Sequence, residues 1–89
     1  MIVSIEILLG IDACDSLKQK RGMLKPLLAA LHRQFNAAAA EIGHQDEHLQ
    51  AEIGIAIVGN QARHLQSEAD TIISWVEDHW RDGDVLDTK

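Results

Sequence analysis

Two segments of this 89-residue chain alternate apolar with smaller or polar residues at period two, and each leads into a stretch whose apolar residues recur every three or four positions. The first, residues 2–11, sets Val3, Ile5, Ile7 and Leu9 on one side and Ser4, Glu6 and Leu8 on the other. The second, residues 50–58, sets Ile53, Ile55 and Ile57 against Glu52, Gly54 and Ala56. Successive side chains of a strand point to opposite faces, so both segments read as strands with one face to bury. Such a face needs a covering layer, and the helical stretches are placed to supply it.

Ser16-Leu-Lys-Gln19 has the form of a capping box, with Ser accepting from the third helical amide and Gln reaching back. The helix it opens carries Leu17, Leu24, Leu27, Leu28, Leu31 and Phe35. Pro26 falls inside it, where its ring presses on the carbonyl of Gly22, so a bend is expected rather than a break. Asn36 can close the helix in a left-handed conformation. For Ala37–Ala40 propensity favours more helix, yet Asn36 and Gly43 bracket the segment and a short strand fits between them. Asn60 is the expected N-cap of a second helix bearing Ala62, Leu65, Ala69, Ile72, Ile73, Val76 and Trp80, with Gly83 at its end. Room remains for a short last strand at Val85–Leu86. The order β-α-β-β-α-β predicts a single α+β domain over residues 1–89, a ferredoxin-like sandwich with both helices on one face of a four-stranded sheet. Right-handed crossovers place the two isoleucine-rich strands side by side at the centre; they are expected to run parallel, with the weaker strands as edges.

Aliphatic packing must carry the core, because the aromatics are only Phe35, Trp75 and Trp80. The single cysteine, Cys14, allows no internal disulfide and fits a reducing compartment. The apolar start lacks the basic residues and cleavage site of a signal peptide, and no run approaches the ~20 apolar residues of a membrane span. A cytoplasmic protein without membrane association is the expectation. A formal charge of −6 argues against nucleic-acid affinity over the surface as a whole.

The charge is nevertheless segregated. Between Asp15 and Glu41 lie Lys18, Lys20, Arg21, Lys25 and Arg33 and no acid, whereas residues 64–89 carry seven acids against Arg81 and Lys89. At ~100° per residue Lys18, Arg21, Lys25 and Arg33 fall along one flank of the first helix, a stripe able to track phosphates or dock an acidic surface. The bland alternative is a solvated face, or pairing with the acidic second helix. Lys20 falls on the apolar face, between Leu17 and Leu24, and must either extend its ammonium past the helix start or meet an acid. With parallel central strands both helices would begin at one sheet edge, bringing together Ser16, Lys18, Asn60 and Arg63 as a candidate anion site. His44, Asp46 and His48 form a loose candidate metal group in a polar turn, at a spacing unlike established zinc motifs.

No catalytic triad, carboxylate pair in a cleft or nucleotide fingerprint is present as a motif, so the reading leans away from an enzyme and calls for no cofactor. The uncovered sheet face, with Ser4, Glu6, Leu8, Gly54 and Ala56, has no aromatic on which bases could stack. A small, partly apolar face suits another sheet, so a homodimer is a further expectation.

Leu17-Lys-Gln-Lys-Arg21, Leu24-Lys-Pro-Leu-Leu28, Arg33-Gln-Phe-Asn36, Glu41-Ile-Gly-His-Gln-Asp46 and Gly54-Ile-Ala-Ile-Val58 together resemble the YlxP-like family, small bacterial proteins of unknown function. The resemblance spans about residues 3–80. It implies a ferredoxin-like fold, supports a strand at Ala37–Ile42, and implies no established reaction. Through gene neighbourhood it suggests a translation-linked binding module, with RNA or a ribosome-associated protein as partner. Where relatives often carry Trp-Gln-Arg, this chain reads His48-Leu49-Gln50.

Overall fold

A computed structural model describes all residues, Met1–Lys89, in the order β1 (Ile2–Gly10), α1 (Leu17–Phe35), β2 (Ala38–Gly43), β3 (Gln50–Val58), α2 (Ala62–His79) and β4 (Val85–Thr88). The sheet runs β2-β3-β1-β4, with both helices on one face and the isoleucine-rich strands in the middle, as the alternation requires. This is the α+β ferredoxin-like arrangement.

One expectation is corrected. β1 and β3 are antiparallel neighbours, with Ile2 opposite Val58 and Gly10 opposite Gln50. The helical crossover does return β2 parallel to β1, but β3 runs back between them, since β2 and β3 are also antiparallel. The crossover rule fixes the sense of the strands it joins, which here are not adjacent. The two helices therefore start at opposite ends of the sheet.

Ile5, Ile7, Leu9, Ile53, Ile55 and Ile57 meet Leu24, Leu27 and Leu31 of α1 and Leu65, Ala69, Ile72 and Val76 of α2 in one buried cluster. Each large side chain so buried contributes about 1.5–3 kcal/mol relative to exposure. Val3 is only half-buried and Ala62 is exposed, so the apolar stripes fray at the ends where cover runs out.

Helix ends follow local chemistry in part. Ser16 accepts from the amide of Gln19 at 3.1 Å, and the Gln19 side chain accepts from the amide of Asp15 at 2.8 Å. α1 is continuous through Pro26, and Asn36 closes it at φ 51°, which frees Ala37 to turn into the core and β2 to begin. At α2 the cap position is taken by Gln61, not Asn60, and no side chain caps it. α2 ends at His79, with Trp80 extended at the C-cap and its indole N–H donating to the Gly10 carbonyl at 3.0 Å. Gly83 therefore does not end the helix. It lies so close to the Gly10 carbonyl that any β-carbon there would overlap it. β4 is longer than Val85–Leu86, and Lys89 extends its ladder by exchanging both backbone bonds with Glu6.

Candidate functional site

α1 contains no acidic residue, and its cations are the starting point. Lys18, Arg21, Lys25 and Arg33 are exposed. The ion pairs in the structure are Lys20–Glu41, His44–Glu47 and His64–Glu68, so none of these four cations is neutralised by a carboxylate of its own chain. Pairing between α1 and the acidic α2 does not occur.

The four do not form one file. Arg21 and Lys25 border β2, Arg33 borders α2, and Lys18 lines a groove with neither. Two grooves record the split. Between α1 and β2 a groove of ≈ 480 Å³ is lined by Arg21, Lys25 and His32 over Leu24, Leu28 and Ala39. Between α1 and α2 a groove of ≈ 530 Å³ takes Arg33 with Met23, Trp75, His79 and Arg81. There Trp75 stacks on His79 at 4.2 Å and meets Phe35 edge-on at 5.7 Å.

Lys20 parts from the group entirely. It is 1% exposed, so it is corrected from a partner-binding residue to an internal one. Its ammonium donates to the carbonyls of His44 at 2.7 Å and Gln50 at 3.2 Å, and lies 2.7 Å from Glu41 Oε2. The approach to Glu41 is off the hydrogen-bonding direction, so this contact is charge on charge while the directed bonds go to the backbone. Of the two alternatives for a lysine on an apolar face, meeting an acid is the one the fold takes. The acid comes from the alanine-rich strand, whose pairing a linear reading does not supply.

The candidate anion site does not assemble. Ser16 and Lys18 follow the Gly10 end of β1, Asn60 and Arg63 follow the Val58 end of β3, and these ends are opposite. Parallel central strands were its premise. The candidate metal group is also dispersed. His44 holds a φ of 56° and its Nδ1 sits 2.9 Å from Glu47, while Asp46 and His48 border a shallow depression beside Cys14. No three His, Cys, Asp or Glu side chains converge as a metal would require.

Two features had little signal in the sequence. One is His32, whose Nε2 lies 3.2 Å from the Ala39 carbonyl and joins the α1–β2 groove. The other is β2 itself, an outer strand of low β propensity whose free edge borders the cations. On the uncovered sheet face stand Ser4, Glu6, Gly54 and Ala56 together with Ile2, Ile42, Val58 and Leu86, four of the six exposed large hydrophobics. No helix is long and apolar enough to cross a membrane.

The chain matches the family model described as "Protein of unknown function (DUF503)" over residues 2–89. It is 32% identical over 62 residues to a Bacillus subtilis (strain 168) protein designated "Uncharacterized protein YlxP", covering 70% of this chain and 67% of that one.

Proposed function

The chain belongs to the DUF503 family, and we propose that it is a non-enzymatic cytoplasmic binding module that captures an anionic partner on the cationic side of α1. One observation carries the reading: in a chain of net charge −6, Lys18, Arg21, Lys25 and Arg33 stand exposed and unpaired on an acid-free helix. Unneutralised charge held on a rigid element is free to attract, and a local patch steers association even when the whole molecule has the opposite sign. The family resemblance points to a partner in translation or ribosome maturation, either RNA or a ribosome-associated protein. The test is capture from bacterial cytosol at low and high salt, with protein and RNA both identified. The wild type retains a partner at low salt, and Lys18→Glu with Arg21→Glu releases it. An identical bound set for both proteins removes the reading.

A second reading rests on the uncovered sheet face. Ile2 and Val58, 70% and 77% exposed, sit opposite each other beside the small residues Ser4, Ala38 and Ala56. Small side chains allow another sheet to approach closely, and a second copy would bury these two residues. Sedimentation across a concentration series tests it, with Val58→Lys as the variant that keeps the chain monomeric. A wild type that is monomeric at every concentration rules it out.

A further inference from the structure

Resting on the reading that α1 captures an anionic partner, we infer that the partner is an acidic protein segment that adds to the free edge of β2 as an extended strand, its acids facing Arg21 and Lys25. β2 closes one side of the sheet, so half of its backbone N–H and C=O groups face outward without a neighbouring strand. The carbonyls of Ala39 and Glu41, two residues apart, are met by side chains from beyond the sheet, His32 at 3.2 Å and Gln45 at 3.5 Å. This places them on the outer edge. Exposed edges are ordinarily blunted by proline, lysine, bulges or inward charges. Ala38–Gly43 has neither proline nor lysine, its register irregularity falls at the far end between Glu41 and Gly43, and its inward charge, Glu41, is held by Lys20. An added strand displaces the His32 and Gln45 side chains from the two carbonyls.

The neighbouring groove fits one kind of occupant. Its floor is apolar, formed by Leu24, Leu28 and Ala39, and its outer wall carries Arg21 and Lys25. Glu41, the one acid at its border, is committed to Lys20. Arg21 and Lys25 are one helical turn apart, about 6 Å along the axis. Alternate side chains of an extended strand are about 6.8 Å apart, so acids at positions i and i+2 of an added strand come into register with them. Position i+4 then meets Leu28 and the apolar floor. The recognition element is therefore acid-x-acid-x-apolar, with main-chain bonds to β2 providing affinity and the groove providing selection.

Other occupants fit less well. A long polyanion runs beyond the patch into the field of a chain with net charge −6 and leaves the apolar floor unused. A second copy pairing through its own β2 would set two groups of Arg21 and Lys25 beside each other.

A phage-displayed random dodecapeptide library, selected on the 89-residue protein, tests the inference. Enriched peptides are expected to share acids two residues apart in an apolar context. The best of them, made synthetically, binds Arg21→Glu/Lys25→Glu about tenfold or more weakly. Both substitutions are at exposed positions, and an unchanged urea midpoint verifies the variant's fold. N-methylation of one alternating set of peptide amides abolishes binding while the other set is tolerated, and the β2 amides of Ala39 and Glu41 slow in hydrogen exchange when the peptide is bound. Absence of enrichment, acids at helical spacing, or equal tolerance of both N-methylated sets overturns the inference. A single-stranded RNA dodecamer is run in parallel. RNA binding lost in the charge-reversed protein, without peptide enrichment, sinks the strand-addition model but leaves the anionic-partner reading standing. Cytosolic capture indifferent to charge reversal removes that reading as well.

Discussion

Lys20 Nζ lies 2.7 Å from Glu41 Oε2 and ties the first turn of α1 to the edge strand. The same ammonium holds the carbonyls of His44 and Gln50, the two ends of the turn joining β2 to β3. Removing the lysine strands a buried carboxylate oxygen and two carbonyls at once, whereas removing the acid leaves the ammonium its two backbone acceptors. Lys20→Met is thus expected to cost about 3 kcal/mol and Glu41→Gln only about 1 kcal/mol. Urea unfolding of the two variants checks the order. Equal costs would show that the backbone bonds of Lys20 contribute little.

Gly83 and Gly22 predict opposite signs for one substitution. A β-carbon at Gly83 overlaps the Gly10 carbonyl, and that backbone cannot retreat without breaking the 2.7 Å bond from the Gly10 amide to the Asp84 carbonyl. Gly83→Ala is expected to destabilise by about 2 kcal/mol or more. At Gly22, exposed on α1, a β-carbon meets nothing within 4 Å. Gly22→Ala is expected to stabilise by about 0.5–1 kcal/mol, since alanine restricts the unfolded chain and favours helix. Thermal melts of both variants decide this.

Asn36 stands in the left-handed region at φ 51° and ψ 39°, between the end of α1 and the buried Ala37. Asn36→Gly should be neutral or slightly stabilising, and Asn36→Val should cost about 1–2 kcal/mol because a β-branched residue is strained there. A valine variant as stable as the wild type would mean that the α1–β2 turn adopts another conformation.

Much of the fold could be read from residues with a strong periodic signal. Ile5, Ile7, Leu9, Ile53, Ile55 and Ile57 announced the central strands, and the leucine stripe of α1 announced the layer that covers them. Asn36 and Gly43 marked the limits of a strand that alanine propensity would have hidden. What failed depended on pairing between distant segments. The sense of β1 against β3 is set by which strands become neighbours, not by any local pattern, and the candidate site at Ser16, Lys18, Asn60 and Arg63 failed with it. The sequence marks Lys20 as a lysine on the apolar face but does not say which acid it meets, because Glu41 lies 21 positions away on a strand whose register the sequence does not state. Asn60 lost the cap position to Gln61 by one residue, a difference within the fraying of any helix start. Charge order along α1 was legible because helical phase converts spacing directly into a surface, and the same phase, about 120° between Arg21 and Arg33, turns the two toward different neighbours.

For an anionic partner captured on α1, the place of the positive charge matters beyond its total. Partner retention from cytosol, measured across a salt series, separates the two when Arg21→Glu/Lys25→Glu is compared with Arg63→Glu/Lys89→Glu, which changes net charge equally at exposed sites away from both α1 grooves. Loss of retention in the first variant, with wild-type behaviour in the second, is the predicted result. Equal loss in both, or in neither, contradicts it.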